Sequence, residues 1–289
     1  MYPAKFEYFA PTTIEEACEI LDRYDGEAKV LAGGQSLIPL MKLRFAAPQA
    51  VVDINSVSGL DGLAEEGGGL RIGALVRHKT CERSEVLGGR FGVLGAAAPQ
   101  ISDPIVRNLG TVCGSLAHAD PQGDWGSVML AIGADIEAQS SGGMRTIPIE
   151  EFFHGPFTSA LEPNEVATAV RVRDPGPRAT GTYLKLERKI GDFATVGAAV
   201  HVSFDNGAVG KAGIALTGVA PANLKATAAE ESLAGRALDE AAIAEAARLA
   251  AEAAEPRDDV SGSAEYKRSV ARVFVERGLR AAAEGRNDG

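Results

Sequence analysis

The stretch Leu31-Ala32-Gly33-Gly34-Gln35-Ser36-Leu37 joins a brief apolar run to the start of a helical pattern. Two glycines let the backbone turn sharply and bring successive amides close to a ligand, and a helix N-terminus adds partial positive charge. Such a turn is an anion cradle suited to a phosphate or diphosphate. The same residues also make an ordinary strand-to-helix turn, and spacing alone leaves both readings open. Neither GxGxxG nor GxxxxGK[ST] is present, so a Rossmann site and a nucleoside-triphosphatase loop are unsupported.

A second stretch runs from Asn108 to Trp125, with Gly110, Thr111, Cys113, Gly114 and Ser115 followed by His118 and Asp120-Pro121-Gln122-Gly123-Asp124. Glycines and hydroxyls again offer donors. Asp120 reads as an N-cap with Pro121 at the first helical position. Asp124 falls a turn later as an acceptor-only carboxylate, suited to sugar or ribityl hydroxyls or simply to solvent. Asp120 and Asp124 point the same way rather than flanking a substrate, which argues against glycoside hydrolysis. A third stretch, Tyr183 to Gly197, gathers Lys185, Glu187, Arg188, Lys189 and Asp192. Taken alone, it is a charged rim of a sheet.

Other chemistries are excluded by what the chain lacks. Cys18, Cys81 and Cys113 form no CxxC pair, and His78, His118, His154 and His201 show neither HExxH nor i,i+4 spacing. No protein-only metal centre, iron-sulfur cage or nucleophile-base pair is expected. With 29 Lys and Arg against 39 Asp and Glu, the net charge of -10 opposes nucleic acid. No run of some 18 apolar residues is long enough to span a membrane, and Met1 to Glu7 does not read as a signal peptide. The expected location is the cytoplasm.

The elements that must position these stretches follow from periodicity. Ile14, Ala17, Cys18 and Leu21 behind Thr12-Thr13 predict a helix with Glu15 and Glu16 in its first turn. Ala28 to Ala32 and Ala50 to Ile54 predict strands around a helix from Leu37 to about Arg44. Leu70 to Leu75 predicts a further strand. Arg173-Asp174-Pro175-Gly176-Pro177 predicts a linker. Tyr183 to Leu186, Val196 to Phe204 and Ala212 to Leu216 predict an antiparallel sheet with a hairpin at Asn206-Gly207. Two helices, Ala226 to Glu255 and Ser263 to Ala283, are expected to cover it. The class is α+β, divided at residues 1–57, 58–176 and 177–289. With 45% apolar and 24% charged residues over 289 positions, the chain has the composition to bury such cores.

The ordered motifs AGGQSLIPLMKLR, GTVCGSLAHADPQGDW, YLKLERKIGDFATVGAA and AEYKRSVARVFVERGLRAA resemble the FAD-binding medium subunit of molybdenum hydroxylases, the carbon monoxide dehydrogenase and xanthine dehydrogenase family. The resemblance covers essentially the whole chain. It implies a two-part N-terminal α/β region of the PCMH-type FAD-binding fold, followed by a C-terminal antiparallel sheet with helices. It implies non-covalent FAD, its diphosphate held by Ala32, Gly33, Gly34, Gln35 and Ser36 together with the loop Thr111 to Ser115, including Gly114. Asp124 is then expected on the sugar or ribityl chain, and Ile101 as an apolar wall beside the ring. Lys185 is expected near the ring, where a cation favours the reduced anion. No residue of this chain is assigned as catalytic and none as a metal ligand.

The same resemblance implies an electron-transfer role. A large molybdenum-pterin subunit acts on substrate, a small subunit carries 2Fe-2S clusters, and the flavin passes electrons to an external acceptor, within a heterohexamer. Carbon monoxide, purines, N-heterocycles and aldehydes all stay open as substrates. A stand-alone FAD-dependent oxidoreductase and a flavin-free scaffold are the alternatives. One departure from the family pattern is Cys113, where a glycine is usual: either the loop uses an accessible backbone conformation or this subgroup binds slightly differently, and the thiol reads as a small apolar filler.

Overall fold

The computed structural model describes residues 2–285. Its first sheet holds β1 (Glu7–Phe9), β2 (Ala28–Leu31) and β3 (Ala50–Asp53) in the order β1-β3-β2, all parallel. Helices α1 (Ile14–Arg23) and α2 (Leu37–Leu43) make the crossovers that parallel strands require. Thr13 caps α1 by accepting from the Glu16 amide at 3.2 Å, as its sequence predicts.

The middle region opens with the hairpin β4 (Leu63–Glu66) and β5 (Gly69–Gly73). Five helices come next: α3 (His78–Arg83), α4 (Gly92–Ala97), α5 (Pro104–Leu109), α6 (Val112–His118) and α7 (Asp124–Ile132). Then come β6 (Ala134–Ser140), β7 (Gly143–Pro148), the short pair β8 (Phe153–Gly155) and β9 (Thr158–Ser159), and β10 (Val166–Val172). Their sheet has the order β4-β5-β10-β6-β7 and every neighbouring pair is antiparallel.

After a loop through Pro175 and Pro177, the chain builds β11 (Ala179–Leu186), β12 (Val196–Asp205), β13 (Ala208–Thr217) and β14 (Leu224–Lys225), an antiparallel sheet in that order. Asn206 and Gly207 take φ of 49° and 87°, the left-handed pair that a two-residue hairpin needs. Three helices cover the sheet rather than two: α8 (Thr227–Leu233), α9 (Glu240–Ala253) and α10 (Ala264–Gly285). The break falls at Gly235, with φ of 71°, and α9 restarts on Asp239, which accepts from the Ala242 amide at 2.8 Å. Gly235 and Arg236 are tied to β13 through Val209, so a tertiary contact fixes the interruption.

Central strand β12 is buried on both faces, which is why its sequence is nearly continuously apolar. Val196, Ala198, Val200 and Val202 pack in the core under α8 to α10. Ala199, with Tyr183 and Ala215 from neighbouring strands, belongs to the other core, which includes α7 and the first two regions. The C-terminal sheet is therefore fused to the middle region through α7, all nine of whose residues are buried.

Candidate functional site

The two glycine-bearing stretches meet. A Cβ placed on Gly33 would lie 2.7 Å from the Gly110 Cα and closer still to the Leu109 carbonyl oxygen, so this approach is open only to glycine. Gly34 has φ of 71°, the left-handed region. Gln35 folds its amide back on the Gly33 carbonyl at 3.3 Å, and Ser36 precedes α2 without a capping bond of its own. Among the described residues, the amides of Gly33, Gly34, Gln35 and Ser36 donate no hydrogen bond. This is a row of uncommitted donors at a glycine turn, and it fits an anionic diphosphate.

Arg77 and Asn55 hold the turn in place. Asn55 donates to the Ala32 carbonyl at 2.8 Å, while the Arg77 guanidinium donates to both Asn55 Oδ1 and the Leu109 carbonyl. One side chain thus reaches both loops. Sequence reasoning did not single out either residue, since neither lies in a glycine motif.

The second stretch is a helix start. Thr111 caps α6 by accepting from the Gly114 amide at 3.1 Å, and an isolated bridge pairs Thr111 with Arg77. A Cβ on Gly114 would lie 2.6 Å from Thr111 Oγ1. Cys113 sits in the first turn of α6 with no positive φ, so its backbone has no need of glycine. Its thiol is buried, and that burial pushes it up to about 12. Ser115 lies by Gly123, one residue before Asp124: a Cβ there would be 3.8 Å from Ser115 Oγ.

The expected helix start at Asp120 is not formed. Asp120 accepts from the Gln122 amide at 2.9 Å in an isolated turn, and α7 begins at Asp124 behind Gly123. An Asx turn and an N-cap use the same side-chain acceptor, and the contacts made by the next few residues decide between them. Here Gly123 is held by Asn223, whose amide donates to its carbonyl at 3.0 Å, and Trp125 donates to His78 Nδ1 at 3.0 Å in the core. These two bonds set where α7 starts and how it faces the loop at Gly110, which packs on the same imidazole.

Asp124 and Lys185, from separate motifs, are joined to each other. Asp124 Oδ1 accepts from the Tyr183 hydroxyl at 2.6 Å and Oδ2 from Lys185 Nζ at 3.0 Å. Lys185 also donates to the Gln100 carbonyl at 2.9 Å and lies 3.5 Å from Glu187 Oε2. The Lys185 and Asp124 side chains are 2% and 5% exposed, so this is a buried pair. Desolvation raises the Asp124 carboxyl, opposed by Lys185 and Tyr183 and reinforced by Glu187. Ile101 follows Gln100; it is buried, and its carbonyl accepts from Arg107 at 3.0 Å. The sequence-named residues thus form two groups, the glycine loops and the Ile101–Asp124–Lys185 cluster, linked where Ser115 meets Gly123. Tyr183, Gln100 and Glu187 complete the second group. Tyr183 and Glu187 flank Lys185 in its motif, but which partners they find depends on contacts across the fold.

No described group of His, Cys, Asp and Glu is arranged to hold a metal ion, and no helix is long and apolar enough to cross a membrane.

Residues 4–175 match the family described as FAD binding domain in molybdopterin dehydrogenase, and residues 181–282 match CO dehydrogenase flavoprotein C-terminal domain. The carbon monoxide dehydrogenase medium chain of Hydrogenophaga pseudoflava is 40% identical over 98% of each chain. The nicotine 6-hydroxylase medium subunit of Paenarthrobacter nicotinovorans is 35% identical over 93% of this chain and 94% of its own. Among solved structures, the H. pseudoflava carbon monoxide dehydrogenase that lacks the Mo-pyranopterin moiety superposes with a TM-score of 0.95 at 41% identity, covering 99% of both chains. Quinoline 2-oxidoreductase from Pseudomonas putida 86 gives 0.91 at 34% identity, again over 99% of both.

Proposed function

This chain belongs to the FAD-binding subunits of the molybdopterin dehydrogenases, and from that membership we propose that it is the flavin-bearing electron-transfer subunit of a molybdenum hydroxylase. The observation that carries the reading is the meeting of the two glycine loops at Gly33 and Leu109, beside four uncommitted amides. Ala32 to Ser36 and Thr111 to Ser115 bind the diphosphate of FAD. Asp124 takes a polar group of the sugar or ribityl chain, Lys185 approaches the flavin ring, and Ile101 supplies apolar surface beside it.

Held by these residues, FAD would supply one- and two-electron redox chemistry. The chain itself positions the cofactor and sets the field around it. Its partners are a large molybdenum-pterin subunit and a small 2Fe-2S subunit, in a cytoplasmic heterohexamer. The large subunit selects the substrate: relatives that cover nearly the whole of this chain carry names as different as carbon monoxide dehydrogenase and nicotine 6-hydroxylase. We read residues 1–57 and 58–176 as the two halves that grip FAD, and 177–289 as the region that closes over them through α7. The three larger sheets, one in each of these regions, support that division.

The test is the absorption spectrum of the chain purified alone, with chromatography of whatever heat releases. Oxidised-flavin bands and close to one FAD per chain are the expected result. A folded, colourless chain that takes up no added FAD overturns the reading.

A further inference from the structure

The Asp124–Lys185 pair carries a surplus of negative charge. One ammonium, Lys185 Nζ, stands 3.0 Å from Asp124 Oδ2 and 3.5 Å from Glu187 Oε2, so two carboxylates share one cation. Glu187 Oε2 is itself buried, and among the described residues nothing donates a hydrogen bond to it. Fully ionised, the three groups sum to one negative charge, and since Glu187 is 23% exposed while Asp124 is 5% exposed, the surplus is costly chiefly at Asp124. The titratable groups acting on Asp124 are Lys185, Tyr183 and Glu187, all from β11 or just past its end. Around them stand the Gln100 carbonyl, Ser127 on α7 and Thr217 on β13.

The hydroxyls make room for a proton. With Asp124 ionised, Tyr183 donates to Oδ1. With Oδ1 protonated, the carboxyl would donate to the Tyr183 oxygen and free the Tyr183 hydroxyl for Ser127 or Thr217, both of which act on it, although Ser127 already donates to the Asp124 carbonyl and Thr217 accepts from Asn223. Those two are fully buried and hydrogen-bonded to each other, and each hydroxyl serves as donor or acceptor. A hydroxyl that can donate or accept thus faces Asp124 Oδ1, and it can serve either charge state.

We propose that Glu187 turns the buried Asp124–Lys185 pair into a proton-binding site: Asp124 takes up one proton at Oδ1, the Tyr183–Ser127–Thr217 hydroxyls reorient to accept it, and the surplus negative charge is neutralised. Glu187 acts through Lys185, as a charge-setting positioning residue. With the proton bound, Glu187 alone balances Lys185; without it, the cluster is anionic. In its bearing on the cofactor this rests on the flavin reading above, because an anionic cluster beside the ring disfavours the reduced anion and a neutral one does not.

The flavin-free chain tests the proton directly. Infrared difference spectra should show the carbonyl stretch of one buried carboxylic acid that persists above the usual carboxylate range and vanishes as pH rises further. In Glu187→Gln, which keeps the shape and removes one charge, that loss should shift at least about one pH unit lower, since one unit corresponds to a modest change in buried charge interaction. The band should be absent in Asp124→Asn. Absence of the band from the wild-type chain, or an unchanged titration in Glu187→Gln, overturns the proposal.

With FAD loaded, the midpoint potential plotted against pH should bend at the pH where the band is lost, and the bend should move with it in Glu187→Gln. A potential whose pH dependence is the same in both proteins overturns the link to the cofactor. A chain that shows the infrared titration but binds no flavin keeps the proton site and rejects the flavin reading instead, so the two failures are told apart.

Discussion

The α-carbon of Gly33 faces the carbonyl of Leu109 at a distance that leaves no space for a β-carbon, and this single approach brings together motifs 76 residues apart in sequence (109 minus 33). The obstructing atoms are backbone, so a side chain at position 33 cannot be accommodated by rotating a neighbour.

Gly33→Ala should therefore separate the two loops while leaving the sheets folded. The expected cost is about 1–3 kcal/mol of stability, as for overpacking, with FAD content reduced at least severalfold. Gly34→Val differs in kind. At φ of 71° a β-branched residue is strained, although the nearest atom its Cβ meets is the end of the Ile38 side chain. It too should lose FAD. Retention of full FAD by either folded variant would remove the turn from the diphosphate site.

The buried pair gives a prediction of opposite character. Lys185→Met leaves Asp124 and Glu187 without their cation, and removing one partner of a buried pair costs about 3–5 kcal/mol. Adding Asp124→Asn to it should restore part of that loss, because the uncompensated charge goes with it. Denaturant midpoints of the two singles and the double form the cycle. Additive losses would mean that the residues do not act on one another.

Much of the first sheet was legible. Thr13, the 3.6-residue spacing behind it, and two glycines between Leu31 and Leu37 fix a strand, turn and helix by local chemistry alone, and the structure forms them there. The start of α7 was not legible, because Asp120-Pro121 satisfies the local rule for a cap while Asn223 and His78, both distant in sequence, hold the helix to a later start. The helix break at Gly235 was hidden for the same reason. Alanine on both sides favours helix, and Val209 on a neighbouring strand decides otherwise. Within the site, residue types named the cradle, but the partnership of Tyr183 with Asp124 spans 59 positions and belongs to the tertiary fold.

Cys113 should be inert in the native protein. Its thiol is 3% exposed and is pushed up to about 12, chiefly by desolvation, so the thiolate that reacts is scarce near neutral pH. Cys18 and Cys81 are buried as well. Iodoacetamide should label none of the three in the folded chain and all three in denaturant. Cys113→Gly should fold and lose about 1–3 kcal/mol, from lower helix propensity and lost burial. Rapid labelling of native Cys113 would contradict its placement in α6.

His201 sets a pH limit on stability. It lies on β12 opposite Gly181, with both ring nitrogens buried and, among the described residues, without hydrogen-bond partners. Burial, with Lys211 nearby, lowers its pKa from 6.5 to about 4. His78, held by Trp125, is lowered to about 4 as well, again first by burial. In both cases the folded state refuses a proton that the unfolded chain accepts. The stability is therefore fully present above about pH 6.5, falls as pH drops toward 4, and levels off below that, by about 3 kcal/mol for each histidine. His201→Leu should remove roughly half of this acid-dependent loss while leaving the His78 half. It should also raise stability at neutral pH, because two unsatisfied polar atoms leave the core. Melting temperatures of both proteins between pH 4 and pH 7 decide the matter: parallel curves would mean that His201 is already protonated, or hydrated, in the folded state.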